Sequence, residues 1–192
     1  MLWAKRLTVP LLLLAACLSD MPVARTAARD AAGLSLKLSA EATTVRVMEQ
    51  PKVSIRIANG GRDPVVLVRP SDGSDRGLRT PLVRWLVEPV PGEGDPEAIV
   101  RAVMPCDNIN PVGPDAVFTL APGESETFST YVWAAFSKPG KYRVRYEYEN
   151  RPAMEWGGIP LGGGHDEATL RRIRESTACK LASDEVIFTV TE

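Results

Sequence analysis

The sequence predicts an all-β domain, two sheets packed as a Greek-key sandwich with one short helix, on three observations. Apolar residues recur with a period of two through most of the chain, the pattern of strands that bury one face. Gly and Pro are frequent, 15 and 16 among 192 residues, and they fall between the alternating segments. No helical patterns alternate with the strands, which removes a parallel α/β arrangement.

The strands follow in order. Leu34, Leu36 and Leu38 alternate with Ser35, Lys37 and Ser39, and Val53, Ile55 and Ile57 alternate with Lys52, Ser54 and Arg56. Val65–Val68 is a continuous apolar run, so its outward face is expected to be covered as well. Tyr142, Val144, Tyr146 and Tyr148 alternate with charged residues, and Val186, Phe188 and Val190 alternate with Ile187 and Thr189. Thr44–Met48, Leu82–Glu88, Ile99–Met104, Val117–Leu120 and Glu126–Val132 are weaker candidates, and about eight or nine short antiparallel strands are expected from the ten segments. Asn59-Gly60-Gly61, Pro122-Gly123 and Pro139-Gly140 supply turns. A helix is predicted near Asp166–Ser176, where Asp166 can cap, Glu167 and Arg171 are four apart, and Leu170 and Ile173 share a face. It falls in a long Gly-rich insertion, residues 150–180, ahead of the last strand.

Charge excludes one class of function. There are 23 basic and 24 acidic side chains, a net charge of −1, without the basic excess of a nucleic-acid binder.

The N-terminus carries an address. Lys5 and Arg6 precede an apolar run, Leu7–Ala16, broken only by Thr8 and Pro10. Ten helical residues span about 15 Å, half of a bilayer core, which suits a signal segment and not a membrane span. The run ends in Leu14-Ala15-Ala16-Cys17. This resembles the lipobox of bacterial lipoprotein precursors, an aliphatic residue and two small ones before Cys. The resemblance implies cleavage before Cys17, lipidation of its sulfur, and an exported chain held at the cell envelope by its lipid. Leu18 and Ser19 follow, without the Asp that favours inner-membrane retention, so the outer membrane is the expected destination. The chain then divides into a signal peptide (1–16), a tether (17–33) and a sandwich domain (34–192). Removing Lys5 and Arg6 leaves 21 basic against 24 acidic side chains, so the lipid, not surface charge, would anchor it. With Cys17 lipidated, Cys106 and Cys179 remain for an oxidising compartment and are expected to pair as a disulfide.

A second resemblance covers residues 34–190 loosely and 117–190 best. Leu120-Ala121-Pro122-Gly123-Glu124-Ser125, Lys138-Pro139-Gly140-Lys141-Tyr142-Arg143-Val144 and Ser183-Asp184-Glu185-Val186-Ile187-Phe188-Thr189-Val190 resemble the second half of immunoglobulin-like modules in secreted bacterial proteins. Similar phrases occur in the β-domain of deuterolysin-like metallopeptidases and in small bacterial proteinase-inhibitor sandwiches. These motifs specify turns and strands, so they imply a fold and not a function.

Chemistry is sparse. A zinc peptidase needs two His on one helix face, and His165 is the single histidine. No Ser sits in a Gly-x-Ser-x-Gly elbow and no phosphate-binding loop is present, so neither a catalytic residue nor a cofactor is expected. Asp72 and Asp75, around Gly73, are the best metal candidates, though a polar turn explains them as well and they lack the bidentate Glu of an EF-hand. Trp85, Trp133 and Trp156 could stack on a carbohydrate, but Trp85 has the strand spacing of a core residue. Trp156, His165, Arg171, Arg172 and Arg174 are the candidate binding residues, all in the insertion. The sequence thus leads to a lipid-anchored, non-catalytic envelope module that binds a protein or glycan partner through loops 71–81 and 150–180. The alternative is a peptidase inhibitor presenting a loop from the same scaffold.

Overall fold

The structure, a computed structural model, describes residues 33–71, 78–79, 82–101, 112–156, 159–160 and 167–192. Two sheets form the body. The first is built from β1 (Leu34–Ala40), β3 (Lys52–Asn59) and β8 (Ser125–Tyr131), in the order β1-β3-β8. In the second, β10 (Gly140–Asn150) is central, with β5 (Val83–Pro89) on one side and β14 (Val186–Thr191) on the other, β14 in turn pairing with β2 (Thr44–Arg46). Two short ribbons accompany them. One pairs β4 (Val65–Val68) with β7 (Val117–Leu120), the other β6 (Ile99–Arg101) with β9 (Ala134–Phe136).

The period of two explains the packing. Leu34, Leu36 and Leu38 of β1 and Val53, Ile55 and Ile57 of β3 point inward and are buried. From the opposite sheet come Tyr142, Val144, Tyr146, Tyr148 and Phe188, each fully buried. Burial of so many large side chains is the main favourable term, at about 1.5–3 kcal/mol for each aliphatic or aromatic group.

Three details make this an immunoglobulin-like sandwich. The sheet orders β1-β3-β8 and β5-β10-β14 match the A-B-E and C-F-G orders of that fold. The N-terminal segment changes sheets: β1 pairs antiparallel with β3, and β2, four residues later, pairs parallel with β14. The expectation of purely antiparallel pairing is therefore corrected, because a segment that crosses between sheets meets the last strand in the same direction. Finally, Tyr142 donates its hydroxyl to the carbonyl of Lys138 at 3.1 Å, the corner contact that ties the start of this strand to the preceding turn.

The corner is tightly built. Asp95 accepts a 2.8 Å bond from Glu97 N–H, and its carboxylate meets the Lys138 ammonium at 2.6 Å. The hydrogen bond to Lys138 holds the Asp95 carboxyl below the usual range, and the same contact raises Lys138. Gly140 has φ 150°, and a Cβ there would lie 2.8 Å from the Glu93 carbonyl, so only glycine fits.

The expected strands are present with ends shifted by a residue or two, except that residues 102–104 of the expected Ile99–Met104 lie outside the described residues, and fourteen strands occur among the described residues instead of eight or nine. β9, a two-residue hairpin of β11 (Glu155–Trp156) with β12 (Ile159–Pro160), and β13 (Cys179–Ala182) were not expected. β13 and β14 are one strand split by a bulge. Glu147 faces Ala182 and Val144 faces Val186, so three residues, Ser183–Glu185, oppose two. Ser183 fills the irregularity: its N–H donates to Tyr146 O at 2.9 Å and its Oγ accepts from Tyr146 N–H at 3.0 Å.

Candidate functional site

The insertion leaves the sandwich at Asn150, the last residue of β10, and returns at Cys179, which pairs with it in register. Its helix, α1 (Glu167–Arg174), packs on the β4–β7 ribbon through buried Thr169 and Ile173. The helix ends as its sequence anticipates, with Arg171, Arg172 and Arg174 in the last turn, where cations complement the exposed carbonyls.

Polar contacts then fix the segment. Asn150 is 1% exposed, and its amide donates to Ser176 Oγ at 3.0 Å and to Thr177 O at 2.8 Å. Ser176 Oγ donates to Ile173 O at 2.7 Å, closing the end of α1. Thr177 N–H donates to Val66 O at 2.7 Å, and Val66 N–H reaches Thr177 Oγ1 at 3.3 Å. The edge of β4 away from β7 is thus occupied by the end of the insertion at Val66, and the Val66 side chain is half-buried. Arg172 crosses to the ribbon as well, donating to Pro114 O at 3.2 Å and Val117 O at 2.6 Å.

These contacts separate the candidate residues. Arg172 differs from the other candidates in acting as a structural clamp, its guanidinium donating to two backbone carbonyls. Arg174 lies 3.9 Å from Glu167 across two helical turns, and both are largely exposed. Arg171 faces solvent. Trp156 lies in β11 opposite Ile159; its side chain is outside the described residues, as are His165, Asp72, Asp75, Cys17 and Cys106. Cys179 is buried on β13. Within the other proposed loop, Ser71 bridges to Leu78, and Leu78 and Arg79 are buried, so that part of 71–81 belongs to the core. Trp85 and Trp133 pack, half-buried, against the core, and Trp85 meets Tyr146 edge-on at 4.8 Å, as its strand spacing predicts.

Beside the exit of the insertion lies a shallow cleft of about 340 Å³, lined by Arg151, Ala153, Met154 and Glu155. A turn closed by Met154 N–H to Arg151 O at 2.9 Å shapes it, and Met154 is buried. Arg151 extends from Glu149, 3.3 Å away, with most of its side chain in solvent. Sequence reasoning missed Arg151 and Glu155 because nothing in their spacing marks a cleft; it exists because Asn150 and Ser176 hold both ends of the loop.

Burial pushes the hydroxyls of Tyr146 and Tyr148 well up, so neither supplies a proton acceptor in the ordinary pH range. Among the described residues no group of three His, Cys, Asp or Glu could hold a metal ion, and no helix is long and apolar enough to cross a membrane.

Geometry and strand order define the class of this chain as an immunoglobulin-like β-sandwich with a docked insertion. No protein-family model and no curated protein matches it. Among solved structures, it is similar to a chain in the crystal structure of the complex between zinc 2-glycoprotein and prolactin inducible protein from human seminal plasma. The identity is 11%, the match covers 82% of this chain and 94% of that one, and the TM-score is 0.33. The fold assignment rests instead on the strand order, the sheet-changing β1–β2 segment and the Tyr142 corner.

Proposed function

We propose that this chain is a lipid-anchored, non-catalytic module of the cell envelope that binds a protein or glycan partner at the end of the sandwich where the insertion is docked. The observation that carries this reading is the pinned insertion. Asn150, Ser176, Thr177 and Arg172 hold it against β4 and β7, while Arg151 and Glu155 line an open cleft at its start and Arg171 and Arg174 stay exposed on α1. A surface ordered before it meets its partner loses less entropy on binding. Loops fixed on a rigid sheet are the usual place for recognition. The lipobox at Cys17 supports export and anchoring, and a Cys106–Cys179 disulfide would restrain the return of the insertion by about 4 kcal/mol for a loop of this length.

Two measurements test this. The intact mass of membrane-extracted protein should equal residues 17–192 plus lipid, less two hydrogen atoms for the disulfide; a soluble product starting further on ends the anchoring claim. The full-length chain and an Arg151→Glu/Arg171→Glu variant are then used to capture partners from solubilised envelope. Loss of the captured species in the variant is expected, and equal recovery would place binding elsewhere.

A further inference from the structure

The second sheet ends on an open strand. β10 and β5 pair so that Leu82 O accepts from Glu149 N–H and Val90 N–H donates to Lys141 O, which turns the even-numbered residues of β5 toward β10. The backbone groups of Val83, Trp85 and Val87 therefore point outward, and among the described residues nothing pairs with them. Their side chains face the interior yet are only half-buried, so the sandwich is open along this edge. Strands of this kind ordinarily carry a lysine, a bulge or a cover that blocks further pairing; among the described residues β5 has none before Pro89.

The alternate face of the strand holds the information. Arg84, Leu86 and Glu88 point outward. Glu88 accepts from Arg143 at 2.7 Å, whereas Arg84 is exposed and has no ion-pair partner among the described residues. The sequence Val83-Arg84-Trp85-Leu86-Val87-Glu88-Pro89 is self-complementary about Leu86. We infer that β5 is a homodimerisation edge, pairing antiparallel with β5 of a second copy across a two-fold axis at Leu86.

In that register Trp85 and Val87 of the second copy exchange both backbone hydrogen bonds, and their side chains close the open edge. Arg84 stands opposite Glu88 of the second copy, giving a ladder Arg143–Glu88–Arg84 across three strands. Pro89, which has no N–H, faces Val83 and still accepts from it. Shifting the register by two residues in either direction places Arg84 and Glu88 opposite apolar residues, so charge selects one alignment. The outer edge of β8 offers no such match. Its one charged residue, Glu126, is paired with Arg69, whose guanidinium covers Phe118 and Phe128 at 5.1 and 5.5 Å.

The register makes a sharp test. Leu86 would face its own copy as a non-hydrogen-bonded pair, with Cα atoms about 4.5 Å apart, within disulfide range. Under mild oxidation of the full-length protein in detergent, Leu86→Cys should form a reducible covalent dimer. Arg84→Cys and the unaltered chain should form little. Sedimentation should show a dimer that Arg84→Glu weakens by about tenfold, since the like charge is met twice, and that Arg84→Glu/Glu88→Arg restores. A monomer in the unaltered chain, equal cross-linking by Leu86→Cys and Arg84→Cys, or failure of the reversed pair to restore association would overturn the inference.

Discussion

The strand-borne core and the insertion are both buried against the same sandwich, but by different physics. β1, β3, β10 and β14 bury every second side chain, and the free energy comes from apolar area. Among the described residues of 150–178, only Met154, Thr169, Ile173 and Ser176 are buried beyond Asn150, and the segment is fixed by donors that reach backbone carbonyls on β4 and β7. In the first region the loss of one polar atom is small beside the apolar burial. The second depends on a few, because a buried carbonyl left without its donor costs more than a new contact gains.

The largest effect should come from the core. Phe188→Ala should cost about 3–5 kcal/mol in urea denaturation, because a large ring lost from a packed sheet leaves a cavity. Asn150→Ala should cost less overall, about 1–3 kcal/mol, but should act locally. It strands the Thr177 carbonyl and frees the end of α1, so hydrogen exchange in 167–177 should accelerate while β10 is little changed.

The tyrosines of β10 divide further. Tyr142 and Tyr148 donate to Lys138 O and Val68 O at 3.1 and 2.6 Å, whereas the fully buried Tyr146 hydroxyl has no partner among the described residues. Tyr142→Phe and Tyr148→Phe should each cost about 0.5–1.5 kcal/mol. Tyr146→Phe should be neutral or stabilising. Equal losses at all three would show that the Tyr146 hydroxyl is satisfied after all.

The smallest effect lies at the corner. The Asp95 carboxyl is held low by Lys138, so its contribution is present above about pH 4 and lost as pH falls through the depressed value. Lys138 is raised, so its share persists below about pH 10 and is lost on further rise. Both side chains are well exposed, and screening keeps the effect small. Asp95→Asn should lower the denaturation midpoint slightly at neutral pH and converge with the unaltered protein in acid.

Much of the fold was legible because burial leaves a period in the sequence. Val117–Leu120 and Val65–Val68 appear at the expected residues, and Tyr142–Tyr148 face one core. β9, Ala134-Ala135-Phe136, was not legible, since it is buried on both faces and has no alternation. β13 was hidden for another reason: the bulge at Ser183–Glu185 breaks the period between Leu181 and Phe188. The candidate site was legible only as a polar insertion with a basic helix. Arg172 has the same spacing as its neighbours, and only the ribbon carbonyls it meets distinguish a clamp from a binding residue. The parallel β2–β14 pair likewise depends on a crossing between sheets that local pattern does not encode.

The central claim is that the polar insertion is a docked part of the sandwich. Native-state hydrogen exchange of the full-length protein tests it most directly, at the amide of Thr177, bound to Val66 O, compared with Tyr146, bound to Ser183 Oγ. The docked arrangement predicts strong protection at Thr177, within an order of magnitude of the β10 amides and lost selectively in Asn150→Ala. Exchange of Thr177 at the rate of an open loop, with β10 fully protected, would contradict it.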